Sequence, residues 1–308
     1  MPAIPTLTLI RIGLAAALWF SAAAAACTGG ARAAPPAPPA AAEKYARGLL
    51  WRIEADGPQP SYLFGTIHSA DPRVTALPAA VRAAFEHASS FTMETFFSGA
   101  GLVRMAEAMY FPDDRTLGQL LGPEDYALVE QAVAAQGHPT RDLNKKKPWA
   151  VVMTLDAPPP ESLLFLDLML QRDAVLAGKP NHKLETMEEQ LAVFDGMPLA
   201  DQVTLLRESV RAHHQMREQH EELIRLYLKR DLAGLLALVN NSKPADDRVF
   251  QSLLDRLLTQ RNIKMAERMA PRLKEGNAFI AVGAGHLPGE MGLLQLLERA
   301  GYRLTAVY

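Results

Sequence analysis

Two segments near opposite ends of the 308-residue chain share one pattern: Ser61-Tyr62-Leu63-Phe64-Gly65-Thr66-Ile67-His68 and Ala278-Phe279-Ile280-Ala281-Val282-Gly283-Ala284-Gly285-His286. Each is an apolar run of strand length closed by Gly-x-x-His. The histidine therefore falls where a strand gives way to a loop. In open α/β sheets ligands gather at such strand ends, and glycine there lets the backbone turn sharply or approach a ligand. One such motif by itself is a weak signal, since histidines more often satisfy a loop or core hydrogen bond. Two copies favour a pair of imidazoles facing one another across a single site. The flanks differ, Asp71-Pro72-Arg73 against Leu287-Pro288-Gly289, so the likeness is not that of a general internal repeat.

The N-terminus reads as an export signal. Arg11 precedes an apolar stretch from Ile12 to Ala26 that is short for a membrane span and ends in small residues. Ala24-Ala25-Ala26-Cys27 resembles a lipobox with a poor first position, and Ala31-Arg32-Ala33 fits an ordinary A-x-A cleavage site. Residues 1–33 are thus expected to be a signal peptide, residues 34–45 a Pro/Ala-rich tether, and residues 46–308 the folded domain. Cys27 is the only cysteine, which excludes an internal disulfide, a thiolate zinc site and a cysteine nucleophile in that domain. Acylation of Cys27 would tether the protein to a membrane; cleavage after Ala33 would release it outside the cytoplasm. With 32 Lys and Arg against 34 Asp and Glu there is no basic stripe, and nucleic acid is not an expected partner.

Along the domain, Leu49 to Ile53 and Ser61 to Ile67 flank the turn signal Asp56-Gly57-Pro58 and predict a hairpin. Leu77-Pro78 opens a helical pattern through Ala88 with Val81, Ala84, Phe85 and Ala88 on one face, and a strand follows at Ser90 to Glu94. From Gly101 to about Arg256 helical periodicity dominates. Within it, Lys147-Pro148-Trp149 begins a helix, and Lys179 to Glu185 reads as an extended segment before a helix capped by Thr186 and Glu189. Pro271 is expected to kink or stop a late helix in which Met265 and Met269 read as core. After His286, Leu293 to Leu297 predict a helix, Gly301 its end, and Tyr302 to Val307 a last strand.

Glu94 ends an apolar strand, where a carboxylate is disfavoured inside a sheet. Alone it would be a solvated strand end. Beside the first Gly-x-x-His it would reach His68, and two imidazoles with one carboxylate make a divalent-metal ligand set. His213, His214 and His220 invite a similar reading, but they form no i, i+4 pair and sit among Arg and Glu, which favours a solvated helix face.

Together these segments resemble the TraB/GumN family, which also contains the Tiki membrane proteases. The matching residues are Leu63 to His68, Pro72-Arg73-Val74, Glu94, Lys147-Pro148-Trp149, Leu184-Glu185-Thr186 with Glu189-Gln190, Arg261-Asn262 with Met265, and Phe279 to Leu287. The resemblance implies an α/β fold, a mixed β-sheet wrapped by helices, with the largely helical middle region already read from periodicity. It implies that both histidine motifs meet at one site and, for the Tiki branch, a divalent-metal-dependent protease supported by manganese or cobalt.

The expected function is metal-assisted hydrolysis of a peptide or small acyl substrate outside the cytoplasm. His68, Glu94 and His286 would hold a divalent ion (manganese, cobalt or zinc), whose bound water becomes a nucleophile near neutral pH. Arg73 or Arg261 would stabilise a developing oxyanion or bind a substrate carboxylate, alongside the catalytic role of Glu94. Two other readings remain open. One is a binding protein that sequesters a peptide, metal or metal-containing cofactor in the same pocket, and the other is metal-free hydrolysis with His68 or His286 as general base.

Overall fold

A computed structural model describes residues 44–56, 59–156, 164–213, 216–241 and 247–308. The expected leader, residues 34–43 of the Pro/Ala tether, Cys27 and His214 lie outside the described residues. So do Gly57 and Pro58 of the hairpin turn. Tyr45, at the end of that tether, is instead buried with its ring edge-on to Trp51.

Six strands form one mixed sheet: β1 Leu50–Glu54, β2 Ser61–Thr66, β3 Ser90–Met93, β4 Asn181–Lys183, β5 Ala278–Gly283 and β6 Arg303–Ala306. Their order is β4-β3-β5-β2-β1-β6. The four strands from β4 to β2 run parallel, and β1 is antiparallel to both β2 and β6. Every residue of β3 and β5 is buried, as parallel strands covered on both faces require, whereas the edge strand β6 is largely exposed. The predicted hairpin is β1 and β2, paired Leu50 to Phe64 through Ile53 to Ser61.

The helices are α1 Pro72–Thr75, α2 Ala79–His87, α3 Gly99–Ala108, α4 Leu117–Leu121, α5 Pro123–Ala135, α6 Pro148–Asp156, α7 Leu166–Leu176, α8 Met187–Asp195, α9 Leu199–Ala212, α10 Met216–Leu228, α11 Leu232–Asn241, α12 Asp247–Leu254, α13 Gln260–Glu275 and α14 Leu293–Arg299. Two apolar cores result. One is the sheet with residues of α2, α7, α10, α11, α13 and α14, where Phe85 of α2 meets the rings of Phe91 and Phe279 edge-on. The other lies within the helical middle and joins α3 to α6 with α8, α9 and α12. Trp149 and Lys147 both donate to Asp195 Oδ1, at 2.9 and 2.7 Å, so the Lys-Pro-Trp step ties the start of α6 to the end of α8.

Pro271 neither stops nor divides its helix. α13 continues four residues beyond it to Glu275, because Met265, Met269 and Leu273 bury a continuous face against the sheet and their packing offsets the lost backbone bond. The helix ends where Gly276 adopts a φ of 76°. A π turn at Asp255–Thr259 separates α12 from α13. No described helix is long and apolar enough to cross a membrane.

Candidate functional site

The site is assembled from the carboxyl ends of the parallel strands. β2 and β5 are direct neighbours, with Gly65 opposite Val282 and Thr66 opposite Gly283, so the two Gly-x-x-His turns leave the sheet side by side. Their packing explains the first glycine. A Cβ on Gly65 would stand 2.7 Å from Leu287 Cδ1 and 3.2 Å from the Ala284 backbone, so any side chain would push apart the turn that carries His286. Glu94 follows β3, whose neighbours are β5 and β4. The strand beside it is thus that of the second histidine motif, rather than the first as the sequence reading had it.

Glu94 is buried and fully engaged. Its Oε1 accepts from the Gly283 N–H at 2.7 Å, and its Oε2 accepts from Arg261 Nη2 at 2.6 Å. Beyond β4 the chain stays beside β3, the Glu185 N–H donating to the Glu94 carbonyl at 2.7 Å, and this sets a second buried carboxylate next to the first. Arg261 bridges the two. Its Nε and Nη2 donate to Glu185 at 2.7 to 3.1 Å, and its Nη1 donates to the Leu257 carbonyl in the π turn at 3.3 Å. Gln190 adds a donor to both carboxylates, at 3.3 and 3.4 Å.

The electrostatics follow from this arrangement. Burial pushes the Glu94 carboxyl up, but the Arg261 guanidinium, with His286, the Gly283 N–H and His68 behind it, pulls it down to about 2. Burial likewise disfavours the Arg261 charge, and the two glutamates outweigh it, leaving the guanidinium above its ordinary range. For His286 burial wins: the imidazole is driven down to about 3 despite the Glu94 carboxylate. At neutral pH the site holds an ionised Glu94 beside a neutral His286.

The tautomer of His286 follows from its neighbours. Asn262 donates from Nδ2 to the Met291 carbonyl at 2.7 Å, which leaves its Oδ1 to accept from His286 Nδ1 at 2.6 Å. The proton is therefore on Nδ1. Nε2 keeps its lone pair, is buried without a hydrogen-bond partner and faces Glu94 Oε1 at 3.6 Å. His68 is also buried, stacked on Phe165 with ring centroids 4.7 Å apart, and its Nδ1 faces Asp167 Oδ2 at 3.8 Å.

The structure thus brings Glu94, His286 and Arg261 into one buried cluster, sets the buried His68 near enough to help lower the Glu94 carboxyl, and leaves Arg73 out of it. Arg73 is an exposed surface residue that pairs with Asp71 and Glu221. Arg261 is committed to two carboxylates and a carbonyl, which makes it the clamp of the site rather than a free oxyanion donor. Among the described residues no three or more His, Cys, Asp or Glu side chains are spaced as a ready metal cage. The donor chemistry nevertheless suits a divalent ion, since a deprotonated imidazole nitrogen without a partner lies beside an ionised carboxylate, and Asn262 fixes the ring from behind.

Glu185, Asn262 and Asp167 belong to this site, and the chemistry of the sequence alone did not single them out. Glu185 and Asn262 sit within the segments that carry the family resemblance. Asp167 had its own signal, an acid inside the apolar run Leu166-Asp167-Leu168-Met169-Leu170.

Paired turns at the carboxyl ends of parallel strands, a buried Glu-Arg-Glu clamp and buried histidines define an α/β protein with a polar site at the carboxyl end of its inner strands. Residues 49–306 match the model of the TraB/PrgY/gumN family, and the chain belongs to that family. It is 24% identical to metalloprotease TIKI2 of Danio rerio over 85% of this chain and 61% of that protein, and 24% identical to metalloprotease TIKI1 of Homo sapiens over 83% and 61%. It is also 23% identical to the uncharacterized protein YbaP of Shigella flexneri over 80% of this chain and 90% of that one. The chain thus spans about three fifths of the length of these TIKI relatives. No solved structure matches it.

Proposed function

We propose that this protein is an exported, divalent-metal-dependent hydrolase acting on a peptide or small acyl substrate, periplasmic or held to a membrane through acylated Cys27. The observation that carries the proposal is His286 Nε2, a buried lone pair with no partner that faces an ionised carboxylate. A general base working near neutral pH needs a pKa close to that pH. An imidazole at about 3 and a carboxyl at about 2 are too weakly basic for that role, yet at neutral pH both are in the form that binds a cation. The similarity to TIKI metalloproteases supports the same chemistry.

In this reading His286 and His68 supply nitrogen ligands and Glu94 an oxygen. Arg261 keeps Glu94 ionised and Asn262 holds the His286 proton on Nδ1. The ion, when bound, supplies Lewis acidity and a water of lowered pKa. One observation favours a second reading, a pocket that binds without turnover: both oxygens of Glu94 already accept hydrogen bonds.

The test begins with the metal content of protein purified without chelator or a metal-affinity column, followed by a peptide library with and without manganese, cobalt or zinc. Bound metal with cleavage that chelation abolishes is the expected result. Metal without cleavage selects the binder, and cleavage that survives thorough chelation overturns the metal mechanism. Mass analysis of the exported product is expected to reveal loss of residues 1–33 or acylation at Cys27; an intact Met1 overturns the export proposal.

A further inference from the structure

We infer that Asp167 is the positioning residue for His68: it accepts from Nδ1–H and so turns the Nε2 lone pair of His68 towards the site. The inference deepens the metal-site reading above and rests on it only for the final step, the use of that lone pair.

Three observations converge. First, His68 Nδ1 and Asp167 Oδ2 are both buried, neither has a hydrogen-bond partner, and they face one another at 3.8 Å. Two orphaned groups in a buried site are costly apart and complementary together. A shift of about 1 Å brings that spacing to hydrogen-bond distance. Second, Asp167 is itself held in place. Thr66, two residues before His68, donates from Oγ1 to Asp167 Oδ1 at 2.6 Å, which fixes the carboxylate and directs its other oxygen at the imidazole. Third, the same stretch of chain grips the ring. Phe165 stacks on His68, and the Leu166 N–H donates to the Ser69 carbonyl at 3.2 Å, fastening the start of α7 to the histidine loop.

A ligating histidine ordinarily gives its other N–H to a carboxylate or carbonyl, which sets the tautomer and the ring orientation. For His286 that partner is Asn262. Asp167 would fill the same position for His68, giving the two motifs matching support from different elements, α13 and α7. Nothing in the spacing of the sequence marks Asp167 for this part; it reaches His68 only because α7 begins against the turn after β2.

The test reads the tautomer directly and needs no bound metal. Long-range proton–nitrogen spectra of the 15N-labelled full chain, stripped with chelator and held at mildly alkaline pH, report which ring nitrogen of His68 is protonated, with His68→Gln giving the assignment. The expected wild-type result is a proton on Nδ1, and in Asp167→Leu a shift to the Nε2–H form or a mixture. A bare Nδ1 in the wild type overturns the inference, and this reading requires no variant to fold. An identical His68 spectrum in folded Asp167→Leu also overturns it. Manganese, cobalt and zinc titrations separate the two proposals: Asp167→Leu is expected to weaken binding by about 10- to 100-fold. If the wild type binds no ion while the tautomer shift is present, the metal reading fails and the positioning role stands.

Discussion

His286 carries two commitments that fix its chemistry, an Nδ1–H given to Asn262 and a buried Nε2 given to nothing. His286→Ala is expected to lower divalent-metal affinity far more than stability, read by titration beside a thermal melt. Equal affinity in the variant and the wild type would leave the metal site without its central ligand. The same ring makes the metal-free protein sensitive to acid. Its folded pKa of about 3 lies below the unfolded value near 6.5, so below pH 6.5 the unfolded chain takes up a proton that the folded chain refuses. Stability therefore falls as pH falls from 6.5 towards 3, by at most about 1.4 kcal/mol per pH unit for one proton. Glu94, also depressed, adds to the loss only below its unfolded value of 4.5. Denaturant titrations between pH 6.5 and 4.5 are expected to slope less in His286→Gln than in the wild type. Arg261 poses a different test. Removing it in Arg261→Met leaves Glu94 and Glu185 as adjacent buried carboxylates, and a loss of about 3–5 kcal/mol is expected in equilibrium unfolding.

Among the elements, the contact of the β2 end with the turn after β5 is the narrowest. Gly65→Ala places a methyl against Leu287 Cδ1, which can swing, and against the Ala284 backbone, which can move only with the turn. Overpacking of this kind costs about 1–3 kcal/mol, and the shift is expected to weaken metal binding as well, since Ala284 and His286 share one short 3-10 turn. A melt and a titration of one sample check both. The start of α8 offers a quieter comparison. Thr186 and Glu189 form the predicted capping box, their hydrogen bonds measuring 3.1 and 2.9 Å, and Arg268 pairs with Glu189. Thr186→Ala is expected to cost about 1 kcal/mol while leaving metal affinity unchanged, because the cap acts on the helix end and not on the cluster.

The site draws on residues 66–68, 94, 167, 185 and 261–286, so it exists only when most of the domain is folded. A ligand bound there stabilises the native state by mass action, about 2.7 kcal/mol at a hundredfold excess over Kd. The wild type is therefore expected to melt higher with manganese, cobalt or zinc, and His286→Ala to lose most of that rise. The elements themselves were readable from the chain. Apolar runs located the strands, Pro148 and Thr186 the helix starts, and Gly301 the last helix end, because each signal is local and acts on its own turn of backbone. The paired Gly-x-x-His motifs and Glu94 were legible for the same reason: a histidine or carboxylate closing an apolar strand stands out without any partner in view.

Partners were a matter for the tertiary structure. Sequence spacing could not say that β3 lies beside β5 instead of β2, since strand order depends on which helical crossover packs where. Nor could it separate Arg73 from Arg261. Both are arginines in segments resembling the family, and only folding puts one on the surface beside Asp71 and Glu221 and buries the other between two glutamates. Pro271 makes the same point in reverse, since a local rule that ends helices yields where a buried face of methionine and leucine holds the helix together. The residue types that can do the chemistry are written along the chain; which of them meet is decided by packing, because burial and charge pairing are set by neighbours distant in sequence.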